Sequence, residues 1–199
     1  MKKKIIISIF VILFLILVAG GGFFWWWQGR EIKGSPKDYV IKETPEGKIG
    51  ENKKAGLTVK APEGWEVKKV EIEEGIITFY PSNTKLEFRE GKILLPLKKG
   101  CIIHVSLVYK KMDLSQIEFE TRYTHSLLGK KSEEFEEIAV NNYPALKNTF
   151  DTQKIGPGMG INIPYKNKVY SFYLYWVPEE KENCIRAFDK FLETVSIKP

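Results

Sequence analysis

Cysteine and histidine are scarce in this 199-residue chain, which holds only Cys101, Cys184, His104 and His125. So few exclude a densely stapled secreted scaffold, and no pair of them has the short local spacing that structural zinc sites use. Acid is absent before Glu31, and no cysteine lies near the N-terminus to carry a lipid. Unbalanced charge is also missing from most of the chain. Of the formal +6, Lys2, Lys3, Lys4 and Arg30 supply four, so 27 bases face 25 acids in the remainder. These charges are interspersed and leave no basic stripe for phosphates, which argues against a nucleic-acid partner.

Against these absences stands one long hydrophobic run. Ile5 to Trp27 is apolar apart from Ser8 and three glycines, and its 23 residues would reach about 35 Å as a helix, enough to span a hydrocarbon core. Lys2, Lys3 and Lys4 precede it, and Phe23, Phe24, Trp25, Trp26 and Trp27 close it as rings do at a headgroup layer. The pattern predicts a single-span anchor with residues 1–4 cytoplasmic, the membrane segment at 5–27 and the rest of the chain outside. A cleaved leader is the competing reading, since Val18, Ala19 and Gly20 suit a processing enzyme. Cleavage there would leave a cluster of Phe and Trp in water, so the retained anchor is preferred. A type IV pilin leader is disfavoured, because such runs usually carry an early glutamate.

Residues 28–55 are dominated by Gly, Pro, Lys and Glu, and only Tyr39, Val40 and Ile41 interrupt the polarity. They predict a flexible linker of about 30 Å root-mean-square span, with at most a short ordered piece. Folding is expected from Gly56 onward, giving one domain over 56–199, large enough for a core of its own. Leu57, Val59 and Ala61 alternate with polar residues as in a half-buried strand, Pro62–Glu63–Gly64 turns the chain, and Trp65 plugs the core ahead of Val67, Val70 and Ile72. Ile76–Tyr80, Leu86–Phe88 and Ile93–Leu97 are short strand candidates. Ile102–Tyr109 is apolar on both faces, which marks a central strand covered on both sides.

Asp113 or Ser115 can cap a helix that runs to Leu128 and stops at Gly129. Leu114, Ile117, Thr121, Thr124 and Leu128 form one row along it, and Phe119, Tyr123 and Leu127 a neighbouring one. Strands at 135–140 and 145–150 flank the turn Asn141–Asn142, because asparagine tolerates left-handed geometry. Gly156–Gly160 reads as a flexible loop leading to strands at 161–165 and 169–177, and a helix over 180–192 buries Cys184, Ile185, Phe188, Phe191 and Leu192. Strands, helix, strands and helix with hairpin-length connections predict the α+β class, an antiparallel sheet with helices packed on it.

Three stretches carry a resemblance to a known family: LTVKAPEGW at 57–65, VNNYPALKNTF at 140–150, and the aromatic strand and helix from Tyr170 to Ile197 ending FLETVSI. Together they resemble the PsbP/Mog1-type α/β/α sandwich, in particular membrane-tethered prokaryotic PsbP-like or DcrB-like proteins. The resemblance covers residues 56–199 and rests on fold markers. Plant members assist the manganese cluster of photosystem II and Mog1 binds a small GTPase, so it implies an accessory or interaction role. No functional motif matches position by position, and no ligand or partner residue is carried over.

Candidate chemistry in the residues themselves is sparse. His104 shares a strand face with Ser106 and lies near Cys101, so a Ser/His or Cys/His pair can be drawn, but neither surrounding sequence matches a nucleophile elbow or a cysteine-protease signature. Glu133, Glu134, Glu136 and Glu137 could hold calcium loosely, although such a run is more often a solvated edge. Gly156, Gly158 and Gly160 lack the lysine and helix of a phosphate loop. Cys101 and Cys184 allow one disulfide; two buried free thiols are preferred because both sit on apolar faces. No residue is singled out as catalytic, cofactor-binding or metal-binding. The expectation is a non-enzymatic, membrane-anchored interaction or accessory module with a protein partner in the cell envelope. The alternative is an envelope hydrolase or small-ligand-binding enzyme with an unrecognised site.

Overall fold

A computed structural model describes residues 32–45, 47–70, 76–89, 92–93, 95–127, 134–152 and 156–198. The expected tail at 1–4 and anchor at 5–27 lie outside them, and among the described residues no helix is long and apolar enough to cross a membrane. The chain divides into two units, Met1–Ile32 and Lys33–Pro199, and the described body belongs to the second. In chain order its strands are β1 (Ile32–Lys33), β2 (Val40–Thr44), β3 (Gly47–Asn52), β4 (Leu57–Lys60), β5 (Trp65–Val70), β6 (Ile76–Pro81), β7 (Phe88–Arg89), β8 (Lys92–Ile93), β9 (Cys101–Tyr109), β10 (Phe135–Val140), β11 (Tyr143–Thr152), β12 (Gly156–Tyr165), β13 (Lys168–Trp176) and β14 (Ser196–Ile197). Its two α-helices are α1 (Leu114–Leu127) and α2 (Lys181–Glu193).

The main sheet has eight strands, in the order β10-β11-β12-β13-β9-β6-β5 with β1 beside β9, and every pairing along that order is antiparallel. A second sheet runs β14-β4-β3-β2. The class is therefore α+β, as the element order predicts. Residues directly opposite in an antiparallel register share a face, so the main sheet has two distinct sides. Ile77, Phe79, Ile103, Val105, Ile161, Phe172 and Leu174 line one, and they form a single core with Leu57 and Val59 of the second sheet and Cys184, Phe188 and Phe191 of α2. Phe191 packs against Phe79 and Phe172 at ring distances of 5.0 and 6.0 Å. The small sheet closes tightly over this side: a Cβ on Gly50 would sit 2.7 Å from Ile77 Cδ1. On the other side α1 lies along β11, with Ile117 clustering on Leu146 and Val169, and the His125 ring 5.5 Å from Phe150.

The segment expected as a flexible linker, 28–55, is folded from its fifth residue on, and this corrects both the tether and the domain boundary at 56. Gly34 N–H donates to Leu107 O at 2.7 Å, and Ser35 caps a 3-10 turn at Pro36–Asp38. Tyr39 is wholly buried, with burial pushing its hydroxyl pKa upward. Tyr170 OH donates to Ala55 O at 2.6 Å, and burial raises that hydroxyl to about 12. The segment looks polar because its strands turn one side to solvent and because two of the residues facing inward, Gly50 and Asn52, are not hydrophobic.

The asparagine turn is a tight hairpin as expected, with φ of 48° at Asn141 and 68° at Asn142. Asn141 has a second use, since its Nδ2 donates to Leu192 O, Glu193 O and Val195 O at 3.0, 3.2 and 2.8 Å and so satisfies the open carbonyls at the end of α2. The candidates at 86–88 and 93–97 shrink to the two-residue strands β7 and β8. Gly156–Gly160, expected as a loop, is the first half of β12, in register with β11 throughout and with β13 from Gly158 on.

Candidate functional site

Two surface features and one internal one bring chemistry-bearing residues together. The first is a cleft of about 670 Å³ at the edge of the main sheet that α2 leaves uncovered. Thr149, Pro157, Met159 and Trp176 form its floor, and Pro178 of the 3-10 turn beyond β13 with Lys181 and Ile185 of α2 form its wall. Glu134, Lys147 and Asp151 edge it, Lys147 being paired with Glu136 at 2.8 Å. It is a trough of mixed polar and apolar lining, with charges of both signs at its lip.

Directly behind this cleft, Cys101 and Cys184 are joined in a disulfide with a Cα–Cα distance of 6.1 Å. That corrects the preferred free thiols. Both residues do sit on apolar faces and are 2 and 1 % exposed, but the faces meet, because the first turn of α2 lands on the start of β9. Cys101 is the register partner of Trp176, and Cys184 precedes Ile185, so the bridge ties the floor of the cleft to its wall.

The histidines lie on the opposite side of the sheet and are not brought to either cysteine. His104 is 6 % exposed, its Nε2 has no hydrogen-bond partner, and burial drives its pKa down to about 4, so the ring is neutral at physiological pH. Its ring stands 5.2 Å from Tyr175, which is 5.6 Å from Phe150, which in turn meets His125. The Cys/His pair drawn from the sequence fails because Cys101 points to the α2 side and its thiol is spent in the disulfide. Of the acidic cluster, Glu133 lies outside the described residues, while Glu134, Glu136 and Glu137 are exposed. The aromatic run Tyr170–Trp176 divides between the two sides: Phe172 and Trp176 face the α2 core, Tyr173 and Tyr175 face α1.

The second surface feature is α1 itself. Phe119, Tyr123 and Leu127 are 71, 61 and 67 % exposed, and at i, i+4 and i+8 they make one apolar row on a single helix face. Ile117 and His125 are its only buried residues. A groove of about 350 Å³ beside the row is lined by Met112, Ser115, Gln116, Phe119 and two lysines, Lys110 and Lys111. The sequence shows the row but not its exposure, because two apolar rows compete and periodicity does not say which one meets the sheet.

No protein-family model matches the chain, and no curated protein matches it in sequence. Solved structures do. The fold is similar to that of cyanobacterial PsbP. The structure of that protein (CyanoP) from Synechocystis sp. PCC 6803 aligns with a TM-score of 0.48 at 9 % identity, over 81 % of this chain and 93 % of that one. LpqN of Mycobacterium tuberculosis, described as involved in cell envelope biogenesis, aligns with a TM-score of 0.47 at 11 % identity, over 85 % of this chain and 91 % of that one. PA94 of Pseudomonas aeruginosa gives 0.44 at 11 % identity, over 81 and 98 %. These are likenesses of fold, and they transfer no site residue.

Proposed function

We propose that the folded body is a non-enzymatic interaction or accessory module, held on the outer side of a membrane by the apolar segment 5–27, and that its partner is a protein of the cell envelope. The observation that carries this reading is the row Phe119, Tyr123 and Leu127, three large apolar side chains left in water along one helix. Contiguous exposed apolar surface of that kind marks interaction sites, and an amphipathic helix offering i, i+4 and i+8 anchors is a recurrent way to fill a partner's groove. Two further observations fit: both cysteines are committed to a structural bridge, and His104 has no hydroxyl or carboxylate against its Nε2.

The test is a photo-crosslinking residue placed at Tyr123 in intact cells, with Lys190 on the exposed side of α2 as the reference position. The reading expects one discrete adduct from the Tyr123 position, lost when Phe119→Ser is added and not seen from the Lys190 position. Equal crosslinking from both positions, or turnover of ester, peptide or phosphate substrates by the purified chain, would sink it. Protease shielding of the body in intact spheroplasts would refute the outward placement separately.

A further inference from the structure

The lysines are scattered along the sequence, but the topology gathers many of them at one end of the body. β9 runs out into Lys110 and Lys111, and its partner β13 begins at Lys168 beside that same end, because Val169 opposes Val108. The Tyr165–Lys168 hairpin adds Lys166, which stands exposed at a φ of 57°. The small sheet contributes the turn after β3: Lys54 Nζ lies 5.5 Å from the centre of the Tyr109 ring, and Ala55 O is held by Tyr170, the register neighbour of Leu107. Lys53 precedes that turn, and Lys198 N–H donates to Gly56 O at 2.8 Å. Lys53, Lys54, Lys111, Lys166, Lys168 and Lys198 thus converge from four separate parts of the chain.

The acids described at this end are already engaged. Asp38 sits 3.9 Å from Lys54, Glu120 pairs with Lys110, and Glu51 with Lys42. Asp113 Oδ1 accepts from Gln116 N–H at 2.8 Å and from Ser115 Oγ at 2.7 Å at the start of α1. At the opposite end of the same strands, where Val177 N–H meets Gly100 O, Lys98, Lys99 and Lys181 are matched by Asp151, Glu179 and Glu180. The chain also enters the body at the lysine-bearing end. Gly34, whose N–H is held by Leu107 O, is seven residues beyond Trp27, the last residue of the apolar segment. Seven residues reach at most about 25 Å however they run. With segment 5–27 in a bilayer, Leu107 and the lysines around it cannot stray far from the headgroups.

We infer that this lysine-rich end is a docking surface for an anionic phospholipid bilayer, the same one that holds segment 5–27, and to that extent the inference rests on the anchor reading. Phosphate headgroups supply the negative charge that the body itself does not provide there, and the attraction acts over about 10 Å at ordinary ionic strength. A spread of lysines with no pocket between them suits a bilayer, which offers many headgroups side by side. The short connection keeps the effective concentration of headgroups high, so contacts that are weak one by one suffice together. Docking in this way leaves the row on α1 available. Ile117 lies against Val169 at the lysine end and His125 against Phe150 farther along β11, so the helix runs away from the bilayer and carries Tyr123 and Leu127 with it.

The experiment uses the full chain with its disulfide intact, in vesicles of phosphatidylcholine alone or with phosphatidylglycerol added, and follows lysine acetylation residue by residue by mass spectrometry. Lys54, Lys111, Lys166 and Lys198 are expected to react at least about threefold more slowly in the phosphatidylglycerol vesicles and to recover in high salt, while Lys99 at the far end reacts equally in both. Lys53→Gln, Lys111→Gln, Lys166→Gln and Lys168→Gln together should abolish the protection of Lys54 and Lys198, and arginine at the same four positions should keep it. Equal reaction in both vesicles, equal protection of Lys99, or protection that survives the glutamine substitutions overturns the inference. Flotation with phosphatidylcholine vesicles reads the anchor separately. A chain left behind there refutes the anchor, and the docking surface is then upheld only if that chain floats with phosphatidylglycerol vesicles and the glutamine variant does not. Crosslinking from Tyr123 does not depend on any of these outcomes, so the partner reading stands or falls apart from them.

Discussion

The two sides of the main sheet are held by helices of nearly equal length, 14 residues in α1 and 13 in α2, yet they are joined to it in opposite ways. α2 buries Cys184, Phe188, Phe191 and Leu192, is bonded covalently to β9, and has its last carbonyls taken up by Asn141. α1 buries Ile117 and His125, exposes its largest apolar residues, and rests on a face rich in amides and hydroxyls. Apolar contact and covalent closure make one side a permanent joint. On the other side the sheet keeps its polar groups and the helix is held by few buried side chains, the condition in which an element opens more readily than the rest of a fold.

The comparison can be broken first at the bridge. Cys101 and Cys184 are 83 residues apart, and replacing both by serine is expected to lower stability by about 4–5 kcal/mol on loop entropy, read from denaturant unfolding. A loss near zero would mean the α2 side owes nothing to its covalent link. Next, Phe188→Ala should cost about 4 kcal/mol and Ile117→Ala about 2–3 kcal/mol, because Phe188 fills the main core and Ile117 only a satellite cluster. Equal costs would erase the asymmetry.

Protonation sharpens it further. His104 stands on the α1 side between Thr78 and Tyr173 with Tyr175 against its ring, and its pKa falls from 6.5 unfolded to about 4 folded. The unfolded chain therefore binds this proton first, so stability should fall as pH drops below the unfolded value and reach its full loss, about 3 kcal/mol, below the folded one. His104→Phe should remove that slope in a pH series of thermal unfolding. The smallest effect is expected at the helix surface: Phe119→Ser and Leu127→Ser together should change stability by less than about 1 kcal/mol while abolishing the crosslink from position 123. A large loss of stability would show that the row supports the body itself.

What could be read from the sequence follows the same division. β9, β13 and α2 are legible because their apolar residues recur at the periods of a strand and a helix and both meet the same core. The segment around Tyr39 is not, since a strand pair that buries glycine and asparagine on its inner side carries no hydrophobic signal. Gly156–Gly160 misleads for a related reason: glycines that ordinarily signal a loop are here the places where Phe150 and Asn148 lie on the backbone. The disulfide needs knowledge of which apolar faces meet, which spacing within one strand or helix cannot supply.

β14 has one last implication, for the order of events during synthesis. Ser196 and Ile197 pair with Thr58 and Leu57, and Tyr143 OH donates to Ile197 O at 2.7 Å. The small sheet thus waits for residues made well over a hundred positions after the strand they complete, and a growing chain must keep Leu57 and Val59 from other company until then. Such a distant pairing is slow to form, and a chain stopped just before Ser196 would leave an open strand edge where a neighbour could add.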